Sequence, residues 1–166
     1  MLFKEFYTQS LMENFSFKET QNTDRTIEYQ FDSKNNHYIV AFELDPKYGY
    51  EMSFGTGTSS DIDTRTLTNQ PDEVIPILNT IFGDILKSFV HEVIKYDSVL
   101  NIILAPQLTE DEDKPSSPFE SKRGKLYVRL IERFIKNDSF WNDYNIKFSE
   151  STFQPKSIIL NLTKKT

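Results

Sequence analysis

The stretch DEVIPILNTIFGDILKSFVHEVIKY, residues 72–96, constrains the fold more than any other. Val74, Leu78, Ile81, Phe82, Ile85, Phe89 and Val93 recur at helical spacing and trace one continuous apolar face. Ile75, Ile77, Leu86, Val90 and Ile94 widen that face until little of the circumference suits water. Such a helix must be buried on most sides, so the rest of the chain has to supply a sheet or further helices around it. The start of the segment is well marked. Asn69 or Thr68 offers a cap, Pro71 suits the first turn, and Asp72 and Glu73 stand where the helix dipole favours acids. Pro76 still falls within the first turns. Gly83 costs about 1 kcal/mol against Ala in a helix interior, and close approach of a neighbouring strand would explain its use.

The segments before it read as strands. TIEYQF (26–31) alternates Ile27, Tyr29 and Phe31 with polar residues, HYIVAFEL (37–44) places Tyr38, Val40, Phe42 and Leu44 on one face, and YEMSFG (50–55) alternates again. Ile39 and Ala41 make the second of these a candidate central strand. DSKNN (32–36) and DPKYG (45–49) are turns, and short connections of this kind imply an antiparallel meander. Residues 1–25 show mixed spacing and suit a short strand or helix at the domain edge. TGTSSDIDTRTLTNQ (56–70) reads as a long polar loop, a type that is usually functional or mobile. VLNIILAP (99–106) is a strand stopped by Pro106, and QLTEDEDKPSSPFE (107–120) an acidic loop. A second helix follows over 121–136, then FWNDYNIKFSE (140–150) as a turn and short strand, SIILNL (157–162) as a closing strand, and a charged tail at 163–166. The implied architecture is α+β: a single domain over residues 1–166, with a mixed, mostly antiparallel sheet in the order β-β-β-α-β-α-β and two main helices packed on it. A strand-helix-strand crossover would make the last strands partly parallel to their neighbours. A length of 166 residues and an aromatic content of 14% suit one packed domain.

Charge is unevenly spread. The second helix, SKRGKLYVRLIERFIK, holds Lys122, Arg123, Lys125, Arg129, Arg133 and Lys136 against one acid, Glu132. That is +5 within a chain of net −6, which leaves −11 for the remainder. Leu126, Tyr127, Leu130, Ile131 and Phe134 form its apolar stripe, and Lys122, Lys125, Arg129, Arg133 and Lys136 run down another side. A solvated basic face is the ordinary reading of such a row, and the upstream acids EDED (110–113) are able to fold back on it. The sharper reading is a surface for an anionic partner: an acidic protein, a phosphorylated ligand or nucleic acid. Lys122, Arg123 and Lys125 around Gly124 would then form a phosphate cluster at the helix start. The acidic balance elsewhere disfavours general nucleic-acid binding, because phosphate contacts dominate that affinity.

Chemistry-bearing motifs are sparse. There is no cysteine, which removes disulfides, thiolate metal sites and cysteine catalysis. The two histidines, His37 and His91, have no ligand spacing. Asp61 and Asp63, like the EDED run, lack the glycine and terminal glutamate of a calcium loop. FGTGTSS has glycines and hydroxyls after a strand but no following lysine, so it is only a weak look-alike of a phosphate loop. No G-x-S-x-G elbow is present. Trp141 and Tyr144 suit core or edge packing. No catalytic residue, metal or cofactor is assigned. No uninterrupted apolar run reaches the ~18–20 residues of a membrane span, and the N-terminus makes a poor secretion signal.

Two resemblances follow from these segments. Tyr38, Val40 and Phe42 on a strand, together with Ser121, Arg123, Lys125, Leu126, Tyr127, Arg129 and Leu130 on a helix, resemble the Y-x-V-x-F and S-x-R-x-K-L-Y-x-R-L elements of small uncharacterised proteins of phages and prophages. That resemblance spans roughly residues 37–136 and implies a viral setting, in the host cytoplasm or the virion, with no activity attached. The order of three antiparallel strands, helix, strand, helix and strand also resembles the core of GNAT acyltransferases. Their coenzyme A turn, R/Q-x-x-G-x-G/A, has no match in FGTGTSSDIDTRTLTNQPDE, where Gly55 and Gly57 come too early and acids open the helix. The expected function is therefore a non-enzymatic interaction protein, virion-associated or accessory, that meets a viral or host protein or a second copy of itself through the basic helix. A GNAT-like acyltransferase and a nucleic-acid-binding accessory protein are the alternatives.

Overall fold

A computed structural model of the chain describes residues 14–58, 61–63, 73–105, 117–152 and 156–166. Strands β1 (Phe17–Asn22), β2 (Thr26–Asp32), β3 (His37–Asp45), β4 (Gly49–Thr58) and β5 (Asp61–Asp63) precede helix α1. Helix α1 runs Val74–Val93, strand β6 Val99–Leu104 and helix α2 Lys122–Asn137, followed by β7 (Tyr144–Glu150) and β8 (Ile158–Lys164). The strands form one mixed sheet in the order β1-β2-β3-β4-β6-β8-β7, with β5 paired to β4 alone. This is the α+β architecture expected from the sequence, with strands added at both ends.

The alternation in the strands does what period-two patterning requires. Ile27, Tyr29, Phe31, Tyr38, Val40, Phe42, Met52 and Phe54 are all buried. The register aligns them: Tyr29 opposes Val40, and Val40 opposes Phe54. Leu100, Ile102, Leu104, Ile158, Leu160 and Leu162 continue the same layer on β6 and β8. Both helices cover this face, because the Phe54 ring touches Phe82 of α1 at 5.6 Å and Tyr127 of α2 at 5.6 Å. The ring of Phe89 stacks on Phe42 at 3.8 Å with the planes 5° apart. At the other surface of the sheet, Glu28 is buried with partners: it accepts from Thr20 Oγ1 at 2.8 Å and from Gln30 Nε2 at 2.8 Å.

Helix α1 is buried on most sides, as its sequence demands. Ile77, Ile81, Phe82, Ile85, Phe89 and Val90 are fully enclosed, and only His91 stands well out. By length and composition α1 is able to cross a membrane, which amends the expectation that no segment reaches that length; 67% of its apolar window is buried within the protein. Its middle, Asn79–Ile85, is wound as a π-helix between two α-helical ends. Gly83 lies in that wider turn. A Cβ there would come within 2.9 Å of Phe134 on α2. The close approach expected at Gly83 is real, but the neighbour is the other helix and not a strand. The proposed caps Thr68 and Asn69, with Pro71 and Asp72, lie outside the described residues. Glu73 is buried and does not cap the helix with its side chain. It accepts instead from Lys34 N at 2.7 Å and Ser33 Oγ at 3.1 Å, tying α1 to the β2–β3 turn.

Two further expectations are corrected. Residues 56–58 and 61–63, read as part of a polar loop, form a hairpin between β4 and β5. The sequence TGT-DID carries no apolar alternation, and Gly57 enters the hairpin at a φ of 115° that a side chain would resist. The parallel pairing expected of a crossover is formed, among the described strands, by β4 and β6 alone, over Tyr50–Met52 and Ile102–Leu104, whereas β8 inserts between β6 and β7 and runs antiparallel to both. The N-terminal region, read as a short strand or helix at the domain edge, supplies edge strand β1, whose Phe17 packs edge-on against Tyr29.

Candidate functional site

Helix α2 is positioned by a closed start and an anchored end. Ser121, at its N-cap, is buried; its Oγ accepts from Gly124 N at 2.9 Å and donates to Pro118 O at 3.0 Å. Gly124 is pressed against the Pro118 carbonyl, and a Cβ there would strike it. One of the first-turn amides, Gly124 N, is thus capped by the chain's own Ser121. At the far end Asp138 accepts from Phe140 N at 3.0 Å and from Lys87 Nζ of α1 at 2.8 Å. The Lys87 hydrogen bond, then the Phe140 amide, hold the Asp138 carboxyl below its ordinary range.

The six predicted cations are divided by the fold. Lys122, Lys125, Arg129 and Lys136 are exposed in one outward row, with Glu132 beside it. Arg133 is half-buried at the edge of that row. Arg123 leaves the row altogether. It shares the inward stripe at i, i+4, i+7 and i+11 with Tyr127, Leu130 and Phe134, so helical periodicity already places it on the packed face. Lys122, Arg123 and Arg133 each make interactions within the chain. The acids at 110–113 lie outside the described residues.

Arg123 and Tyr127 line a cleft between β4 and β6. Their pairing stops at Met52 and Leu104, where β6 ends, and Glu51, Met52, Ser53, Phe54, Leu104 and Ala105 complete the walls of a space of about 120 Å³. In open sheets, crevices beyond the carboxyl ends of parallel strands, at the point where strand order switches, are where ligands bind. Sequence reasoning did not find the cleft, because it depends on which strands become neighbours. Burial pushes the Tyr127 hydroxyl up to about 12, opposed by the nearby Arg123 charge, so the group is a hydrogen-bond donor at neutral pH.

The remaining candidates have structural roles. His37 bridges Asp32 at 2.6 Å and Gln30 at 2.7 Å across the β2–β3 hairpin. His91 is exposed, with its ring against Phe140 at 6.3 Å. Trp141 is buried and packs on Phe140 and Tyr144, as expected. Gly55 and Gly57 sit within β4, so the FGTGTSS stretch is in part a strand. Among the described residues no group of three or more His, Asp or Glu is placed to hold a metal ion. Compared with protein-family models, curated proteins and solved structures, the chain matches none.

Proposed function

We propose that this chain is a non-enzymatic interaction protein, of the phage type its sequence resembles, that docks an acidic protein surface through the outward row of α2. The observation that carries this reading is the exposure of Lys122, Lys125, Arg129 and Lys136 along one side of a helix whose opposite side is packed. Rows of this kind raise association rates and select partners by charge more than they add affinity. The experiment is affinity capture and sedimentation with the wild type and a Lys125→Glu/Arg129→Glu variant. A defined partner, or self-assembly, that is lost on charge reversal while the melting temperature holds supports the reading. The same partners on both proteins, or a monomer with none, sinks it. Binding to DNA that falls steeply with salt would replace it with the nucleic-acid alternative.

Element order favours a second reading, a GNAT-like acyltransferase. From β2 onward the chain runs strand, strand, strand, helix, strand, helix and strand, apart from the small β5 and the additional final strand. Against it stand the missing coenzyme A turn and a carboxylate, Glu73, at the start of α1. A thermal-shift titration with acetyl-coenzyme A decides: a saturable rise in melting temperature supports this reading, and no rise at high cofactor removes it.

A further inference from the structure

The acidic surface that the α2 row would meet has a counterpart on this same chain. An open cleft of about 720 Å³ lies where the β1–β2 turn, the end of α1 and the start of β6 come together. Ile27, Val93 and Leu100 in its lining are buried and Leu44 and Tyr50 half-buried, so its floor is apolar. Asp24, Glu92 and Asp97 make its rim acidic, and none of its described lining residues is basic. Lys95, 3.5 Å from Glu92, offsets part of that charge from outside the cleft, and Asp97 also accepts from Val99 N at 3.3 Å. The negative field still reaches the floor: burial, and then the Asp97 charge, hold the Tyr50 hydroxyl above its ordinary range.

An independent feature marks the same place. Among the described residues the exposed large apolar side chains are Tyr96, 85% exposed, and Val99, 45% exposed, and they flank Asp97. Tyr96 borders the cleft. An aromatic ring beside carboxylates, next to an apolar floor, suits a side chain that is apolar along its stem and cationic at its tip. Arginine and lysine fit that description. A space of this size lies within the range of about 300–1,000 Å³ found for ligand clefts, so it takes more than one such side chain.

Charge complementarity points to the source. Residues 121–136 sum to +5 and the rest of the chain to −11. Lys125, Arg129 and Lys136 are exposed on α2, and α2 contributes nothing to the lining of this cleft. Each copy therefore carries row and cleft on separate elements. We propose that the cleft receives the α2 row of a second copy of this chain, with the Arg129 guanidinium over the Tyr96 ring and Lys125 and Lys136 facing the rim carboxylates. The inference rests on the docking reading and names the partner of that row. The contact joins unlike surfaces, so it closes into a ring or a reciprocal pair, or continues as an open chain.

The test is sedimentation velocity on the full chain at low ionic strength, over a range of concentrations. The wild type self-associates, and added salt reverses the association. Lys125→Glu/Arg129→Glu, with the cleft intact, and Asp24→Lys/Tyr96→Ala, with the row intact, each weaken it about tenfold or more. All four positions are exposed, so the melting temperatures hold. Mixed together, the two variants form a 1:1 dimer and nothing larger, because one intact row meets one intact cleft. Lys147→Glu on β7 leaves self-association unchanged. A wild type that stays monomeric overturns this inference and leaves the docking reading to its own capture experiment. Association lost in the row variant but kept in the cleft variant gives the row a different acidic surface and overturns it too. Association kept in both variants, or no dimer in their mixture, also overturns it.

Discussion

Helices α1 and α2 pack on the same face of the same sheet, yet they use their sequences in opposite ways. Helix α1 is enclosed almost all round, and its polar residues serve packing or anchoring: Thr80 Oγ1 donates to Pro76 O at 2.9 Å, and Lys87 reaches Asp138. Helix α2 buries only Gly124, Tyr127, Leu130 and Ile131. Its remaining surface carries charge, most of it turned outward and one guanidinium turned in. A helix committed to the core has little surface left for recognition, whereas a half-committed one holds a packed face and a solvent face in fixed register. Helix α2 therefore displays the row of cations to solvent, whereas α1 is given over to the core.

That contrast is open to direct attack. The largest effect belongs to α1: Phe89→Ala removes a ring stacked on Phe42 and fully enclosed, and costs about 3–5 kcal/mol in urea unfolding. A loss below about 1 kcal/mol would mean that α1 is not the core element described here. Next comes the helix–helix contact. Gly83→Ala improves helix propensity by about 1 kcal/mol but forces a methyl against the Phe134 ring, so the net change is destabilising by about 1–2 kcal/mol. In a Phe134→Leu background the same substitution becomes neutral or stabilising, and the double-mutant cycle measures the coupling. An unchanged penalty in that background would place the strain elsewhere.

A smaller effect lies where the two helices are tied. Asp138→Ala loses an N-cap and the Lys87 pair, for about 1 kcal/mol. Because the folded carboxyl titrates below its unfolded value, its contribution is present above the ordinary carboxylate range and is lost as pH falls through the lowered value. Asp138→Asn keeps a capping side chain and removes this acid-sensitive part. The wild-type and variant stability curves should therefore converge on acidification, and parallel curves down to low pH refute the assignment. The smallest effect belongs to the outer row of α2: Lys125→Glu and Arg129→Glu change stability by less than about 0.5 kcal/mol, as read by melting temperature. A large loss would show those side chains to be structural and remove the docking surface.

Much of this was legible in the chain. The helical period in residues 74–93 and the alternation in β2, β3 and β4 are local signals, and each appears as an element close to the expected bounds. The polarity of α2 was equally visible in the row of Lys122, Lys125, Arg129, Arg133 and Lys136 set against Leu126, Tyr127, Leu130, Ile131 and Phe134. Strand β5 was not visible, since TGT and DID carry no extended apolar alternation, and its pairing with β4 is a register choice made in the fold. Gly83 signalled a close approach without naming the neighbour.

By itself, then, the sequence determined which segments are helices and strands and which face of each avoids water, because those follow from side-chain periodicity along a few turns or pleats. Only the tertiary structure decided that β8 enters between β6 and β7, that β4 runs beside β6 and continues past its end, and that Arg123 borders the cleft there. Strand neighbours are chosen by non-local pairing among edges that look alike in sequence, and a cleft exists only where two such choices meet.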